Sequence, residues 1–167
     1  MRKPLTLTFH VKRKDLEITD NNLLKKILKE TTFVTLALSM DNQPYLVSLS
    51  HGYDEKRNCI FFHCATEGKK LKYFKANPTV WGQAIIDHGY AQGKCTHLYA
   101  SVHFRGKITI IKGMEQKRDA MEHMINQLDK EPAKLVADLT DERLEKAVIG
   151  RIDIDYLSGK KSKEVKL

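Results

Sequence analysis

The chain has 167 residues, of which 41% are hydrophobic and 30% charged, and a formal net charge of +8. That length and apolar fraction suit one globular domain with a core of its own and exclude a scaffold that needs disulfide staples. The positive balance serves solubility and also favours an anionic partner such as a phosphorylated small molecule. The lysines are dispersed and match no nucleic-acid motif, so nucleic acid is not an expected partner.

One domain over 1–167 is expected, with a core at about 18–160 and loosely held basic ends, "MRKPLTLTFHVKRK" and "SGKKSKEVKL". No signal peptide and no run of about twenty apolar residues is visible, which predicts a soluble, cytoplasmic protein without a membrane partner. Cys59, Cys64 and Cys95 are an odd set and read as reduced thiols.

In chain order, "ITDNNLLKKILKE" predicts a helix capped by Asp20, with Leu23, Leu24, Ile27 and Leu28 on one stripe. "TTFVTLALSM" and "QPYLVSLSHGY" predict two strands joined by a turn at Asp41-Asn42. "CIFFHCA" is a third strand, apolar almost throughout and so buried on both faces. "TEGKKLKYFKAN" changes to helical spacing and stops before Pro78. "TVWGQAIID" is a fourth strand, "HGYAQGKCT" a loop, and "HLYASVHFRGKITIIK" a long fifth strand that Gly106 bends or bulges. A helix over 115–130 and a shorter one over 138–147 follow. Trp81 and the methionines of the longer helix read as core. "VIGRIDIDYL" closes as strand six, with Val148, Ile152 and Ile154 on one face. Strands in sequence through short turns, with helices around them, predict a small antiparallel barrel with flanking helices.

The chemistry concentrates where strand three hands over to its helix. A helix start exposes unpaired N–H groups. Thr66 can cap it, Gly68 lets a ligand approach the backbone, and Lys69 and Lys70 add two cations. These residues suit a phosphate site, and equally a solvated lysine pair on a surface helix; the Walker spacing is absent. On the fifth strand His97, Tyr99, Ser101, His103 and Arg105 share a face that can donate to an anion, or that is simply an outward face.

Four segments, "TTFVTLALSMDNQPYLVSLSHGYD", "IFFHCATEGKKLKYFKANPTV", "YASVHFRGKITII" and "VIGRIDIDYLSGK", occur here in one order over about 18–160. In that order they resemble the FMN-binding split-barrel proteins related to pyridoxamine 5'-phosphate oxidase, most of all the nitroimidazole-resistance type. The resemblance implies a mainly β fold with flanking α-helices, a six-stranded antiparallel split β-barrel. It implies a homodimer with FMN at the interface, a small-molecule substrate, and an oxidoreductase passing electrons from a reduced donor to a small acceptor such as a nitroaromatic. Carried over, it places Lys70 on the phosphate with Lys69 beside it. It sets Val47, Ser48, Leu49 and Ser50 along the flavin, puts Phe62, His63 and Cys64 near its ring, and turns Ser101 and His103 toward FMN. His63 is then the catalytic candidate, since an imidazole can exchange protons near neutral pH.

The chain departs from the vitamin oxidases in reading Gly68-Lys69-Lys70 and in lacking a C-terminal arginine-histidine motif, which argues against vitamin B6 oxidation. A flavin-holding sensor and a haem protein ligated through His51, His63, His88, His97 or His103 are the rival readings. A structural metal site around His88, Cys95 and His97 lacks a complete ligand spacing, and none is expected.

Overall fold

The computed structural model describes residues 11–167. After a 3-10 turn at Lys14–Leu16, the elements are α1 (Asn21–Glu30), β1 (Phe33–Met40), β2 (Gln43–Asp54), β3 (Cys59–Cys64), α2 (Lys69–Ala76), β4 (Thr79–Ala91), β5 (Thr96–Ile110), α3 (Met114–Leu128), α4 (Pro132–Ala137), α5 (Asp141–Glu145) and β6 (Val148–Lys161). The six strands close into an antiparallel barrel in the order β1-β2-β3-β6-β5-β4. This is the expected mainly β architecture with flanking helices.

Local chemistry explains most of the elements. Asp20 caps α1 by accepting from the Asn22 N–H at 2.8 Å. Asp41 and Asn42 both take positive φ, which the two-residue turn between β1 and β2 requires, and this fixes pairs such as Thr35 with Ser48. The register of β5 against β6 shifts between Arg105 and Gly106, the bend foreseen at that glycine.

Four boundaries differ from the sequence expectation. The segment read as a loop over 88–96 is largely strand, because a register shift between Asp87 and Tyr90 lets β4 resume its pairing with β5. β6 runs on to Lys161 rather than 157, since the long β5 still offers partners as far as Ala100. The six-residue helix α4, opened by Pro132, is too short to show a period. The C-terminal segment is held rather than loose: Ser162 Oγ donates to the His97 carbonyl at 3.1 Å, and Val165 is buried. The basic run at 1–10 lies outside the described residues.

Two apolar clusters form around the sheet. The larger fills the barrel with Val34, Leu36, Leu38, Ile60, Phe62, Val80, Val102, Phe104 and Ile152. The smaller lies outside the barrel wall, where Cys59, Phe61 and Ile149 pack against Ala120 and Met124 of α3 and Leu144 of α5. β3 is therefore covered on both faces up to His63, as its composition implied. α3 can lie this close because β2 carries Gly52 beneath it. A Cβ there would stand 2.8 Å from the Met124 backbone.

A buried polar link ties α1, β2 and α3 together. Gln127 of α3 donates to the carbonyls of Leu28 and Thr31 at 3.1 and 3.0 Å, and its Oε1 accepts from the Tyr53 N–H at 2.8 Å. His51 is fully buried beside it and donates through Nε2 to the Leu28 carbonyl at 2.8 Å, while Nδ1 has no partner. This excludes His51 as a haem ligand or substrate contact in the folded protein.

Burial holds the His51 pKa below its ordinary value of 6.5, the backbone bond to Leu28 opposing this only in part. The unfolded chain therefore takes up the proton first. The stability carried by neutral His51 is complete above about pH 6.5 and is lost as the pH falls below it. Urea midpoints at pH 7.5 and 5.0 should drop further for the wild type than for His51→Gln; equal drops would show that His51 carries no such linkage.

Candidate functional site

Strand alternation and barrel closure assemble a polar row on the outer face of β2, β1, β4, β5 and β6. Ser48 pairs with Thr35, Thr35 with Gln83, Gln83 with His103, and His103 with Ser158. Ser48 and Thr35 hydroxyls are 2.9 Å apart. Gln83 Nε2 lies 2.9 Å from His103 Nε2, so the amide donates and the ring proton sits on Nδ1. Partial burial of the ring, and then the charge of Lys160, hold the His103 pKa below its ordinary value.

Beside this row runs Leu46–Ala37–Trp81–Arg105–Tyr156. Arg105 donates to Asp155 at 2.8 Å, and Trp81 meets Tyr156 edge-on with ring centroids 5.5 Å apart. Phe33, Leu46 and Ile85 on the same outer surface are 56%, 67% and 47% exposed. The face thus offers hydroxyl, amide and imidazole groups amid large uncovered apolar side chains, a pattern that suits a ligand or a second protein surface rather than water.

The sequence-selected residues divide across the barrel wall. Ser48, Ser50 and His103 are exposed on the outer face. Ser101 shares that face by register and is buried there. Val47 pairs with Leu36 and Leu49 with Val34, so both side chains point into the barrel. Phe62 and Cys64 also point inward, away from His63. Of the seven strand two and strand three candidates, Ser48, Ser50 and His63 turn their side chains outward, and Val47, Leu49, Phe62 and Cys64 turn theirs into the barrel. These last four can offer an outer ligand main-chain atoms alone, because a strand's period of two sends neighbours to opposite sides.

His63 lies where the wall opens. His51 and Phe62 are the last pair joining β2 to β3, and beyond them the strands separate. Ser50 and His63 stand exposed on either side of that split. The His63 ring has no hydrogen-bond partner among the described residues.

α2 begins at Lys69 with Gly68 as its N-cap, at φ 130° and ψ 171°, and has no side-chain cap. Thr66 therefore does not cap it, contrary to the sequence reading; Leu71 N–H donates to the Gly68 carbonyl at 3.3 Å, and the N–H groups of Lys69 and Lys70 keep their capacity to donate. A Cβ on Gly68 would meet nothing within 4 Å, so the space over this helix start is open. Lys69 Nζ rests 4.6 Å from the Tyr45 ring centroid and 5.6 Å from that of Tyr73, which directs it to aromatic faces. Lys70 is half-buried and close enough to Cys64 to oppose the rise that burial imposes on the thiol pKa.

Thr35, Gln83 and the apolar trio Phe33, Leu46 and Ile85 escaped the sequence reading. Thr35 was recoverable from the two-residue turn, which sets it opposite Ser48. Gln83 was not, because its place depends on β1 meeting β4. His97 is 2.7 Å from Asp87, which engages it in the β4–β5 hairpin. No group of three or more His, Cys, Asp or Glu side chains among the described residues is arranged to hold a metal ion.

The model of the family described as pyridoxamine 5'-phosphate oxidase matches residues 20–161. The chain belongs to that family. Its fold is similar to those of several solved structures. A protein from Bacteroides thetaiotaomicron assigned to 5-nitroimidazole antibiotic resistance superposes with a TM-score of 0.74 at 21% identity, over 87% of this chain and 86% of that one. A flavocytochrome from Azotobacter vinelandii gives 0.78 at 16% identity, over 95% and 75%. An FAD and heme binding protein from Mycobacterium smegmatis gives 0.73 at 18% identity, over 88% and 73%. No curated protein matches the chain significantly. No helix among the described residues is long and apolar enough to cross a membrane.

Within this family member Gly68 is held by its backbone and not by packing. Its conformation lies in a region that side-chain-bearing residues avoid at a cost of about 1–3 kcal/mol. Gly68→Ala should lower the unfolding free energy by about that amount in urea titration, and an unchanged midpoint would show that α2 can start with another geometry.

Proposed function

We propose that the protein is an FMN-dependent oxidoreductase whose flavin lies on the outer sheet face between two copies of the chain. Electrons pass from a reduced donor to a small acceptor such as a nitroaromatic. The observation that carries this reading is the outer face itself, where Ser48, Thr35, Gln83 and His103 form a row of hydrogen-bonding groups bordered by exposed Phe33, Leu46 and Ile85. Membership of the family supports it.

The donor set fits a flavin phosphate and ring system. The open, uncapped start of α2 presents backbone N–H groups to an anion, and Lys70 adds the positive charge; Lys69, over its tyrosines, reinforces the field rather than forming the contact. The hydroxyls of Ser48 and Ser50 and the Nδ1–H of His103 suit the ribityl chain and the polar edge of the ring. FMN, when bound, supplies the electron transfer. His63, exposed at the split, holds or delivers a proton on the acceptor's side. Backbone amides and Lys70 recognise phosphate, so FMN should bind at about one per chain and more tightly than riboflavin. Lys70→Ala should weaken FMN by about 1–3 kcal/mol in a fluorescence titration. Equal affinity for riboflavin, or an unaltered Lys70→Ala, would remove the phosphate site. Turnover of a nitroaromatic acceptor with NADH or NADPH separates an enzyme from a flavin-holding sensor.

The second copy of the chain is the other wall of the site. Phe33, Leu46 and Ile85 remain in water in the monomer, and fully burying side chains of this size is worth about 1.5–3 kcal/mol each. Leu46→Glu should shift the protein from dimer to monomer in light scattering and weaken FMN with it. A wild-type monomer that holds FMN, or a Leu46→Glu dimer, would contradict the shared site.

A further inference from the structure

A cavity of about 320 Å³ lies between α3 and the two short helices that follow it. Met121, Met124, Ile125 and Leu128 of α3 form its floor, with Leu135 of α4 opposite. Its polar rim is His63, Asp129 and Arg143. It therefore opens at the split in the barrel, on the same side as the exposed imidazole.

We propose that this cavity is a small-molecule site of its own, and that it takes one aromatic ring bearing a group with two coplanar oxygens such as a carboxylate. The proposal rests on the cavity alone and is independent of the oxidoreductase reading. Methionine thioethers favour aromatic rings and yield to their shape, and two of them line this recess. Its size is that of a small ligand pocket. Arg143 gives one hydrogen bond, at 3.3 Å, to the Asp138 carbonyl and pairs with no carboxylate among the described residues. Its other N–H groups remain available to two parallel oxygens, the geometry a guanidinium recognises best. His63 has no partner and stands at the same rim.

The walls differ in how firmly they are held. α5 is fixed by buried Leu144, by Lys117 donating to the Leu144 carbonyl at 3.0 Å and by Arg118 donating to the Leu139 carbonyl at 2.6 Å. α4 has no buried residue, and Leu135 is 41% exposed. α4 is thus the wall that can shift to admit a ring, while Arg143 stays in place on α5.

The test follows the methionine methyl groups by ¹³C NMR in the full chain without added flavin, titrated with nitrobenzene, benzoate and benzyl alcohol. The methyl signals of Met121 and Met124 should move with nitrobenzene and benzoate, those of Met40 and Met114 should not, and benzyl alcohol should bind at least fivefold more weakly. Leu135→Trp, which fills the recess from its exposed wall, should abolish the shifts while FMN affinity is kept. Arg143→Gln should erase the preference for paired oxygens and leave the fold and FMN affinity intact. Silence of Met121 and Met124 at millimolar probe, equal binding of benzyl alcohol, or binding that survives Leu135→Trp would overturn the proposal. Because the readout needs no flavin, failure of FMN to bind would sink the oxidoreductase reading without touching this one.

Discussion

Three residue pairs between β1 and β4, Thr35 with Gln83, Leu36 with Gly82 and Ala37 with Trp81, close the sheet into a barrel. Everything described at the candidate site depends on that short seam. Without it Ser48 and Thr35 would end at one edge of an open sheet, and Gln83 and His103 would sit at the other edge. With it the two halves form one continuous polar row flanked by apolar side chains. The seam is placed by packing inside the barrel. Gly82, one of the seam residues, leaves the space inside the barrel that the Phe104 ring fills, a Cβ there standing 2.1 Å from the ring.

Closure also explains why the wall has two different outer surfaces. Over β3 and the adjoining part of β2, α3 lies close enough to bury Phe61 and Cys59, and the wall there belongs to a second core. Over β1, β4 and the first half of β2 the outward side chains Phe33, Leu46 and Ile85 remain exposed. The split between β2 and β3 falls where these two surfaces meet. His63 is therefore at a border, with the open sheet face on one side and the methionine-lined recess under α3 on the other. One strand-end residue can serve both because it is the first on β3 that α3 leaves uncovered.

Much of this was readable from the chain. The Asp41-Asn42 turn, the Asp20 cap, the doubly apolar β3 and the bulge at Gly106 each rest on interactions within a few residues of the signal. The strand-to-helix handover was likewise visible as an anion-friendly segment, although Gly68 and not Thr66 begins the helix. Less legible were the continuation of β4 beyond Asp87 and the helix α4. In the first a glycine-rich segment keeps pairing across a register shift, and in the second six residues give no period. The role of His51 was also hidden, because an imidazole between two strand residues looks the same in the sequence whether it faces water or the Leu28 carbonyl.

By itself, then, the sequence determined the element types, the pairing of β1 with β2, and the candidates Ser48, Ser50, His63, Lys69, Lys70 and His103, since these follow from short-range periodicity, turn chemistry and a family resemblance. Tertiary structure decided which candidates share a surface. It turned Val47, Leu49, Phe62 and Cys64 inward, joined Gln83 to Thr35 across the seam, seated Lys69 on Tyr45, and set Arg143 and the α3 methionines around a cavity beside His63. The physical reason is that alternation tells which neighbours part company, whereas only closure of the barrel and docking of its helices determine which distant residues meet.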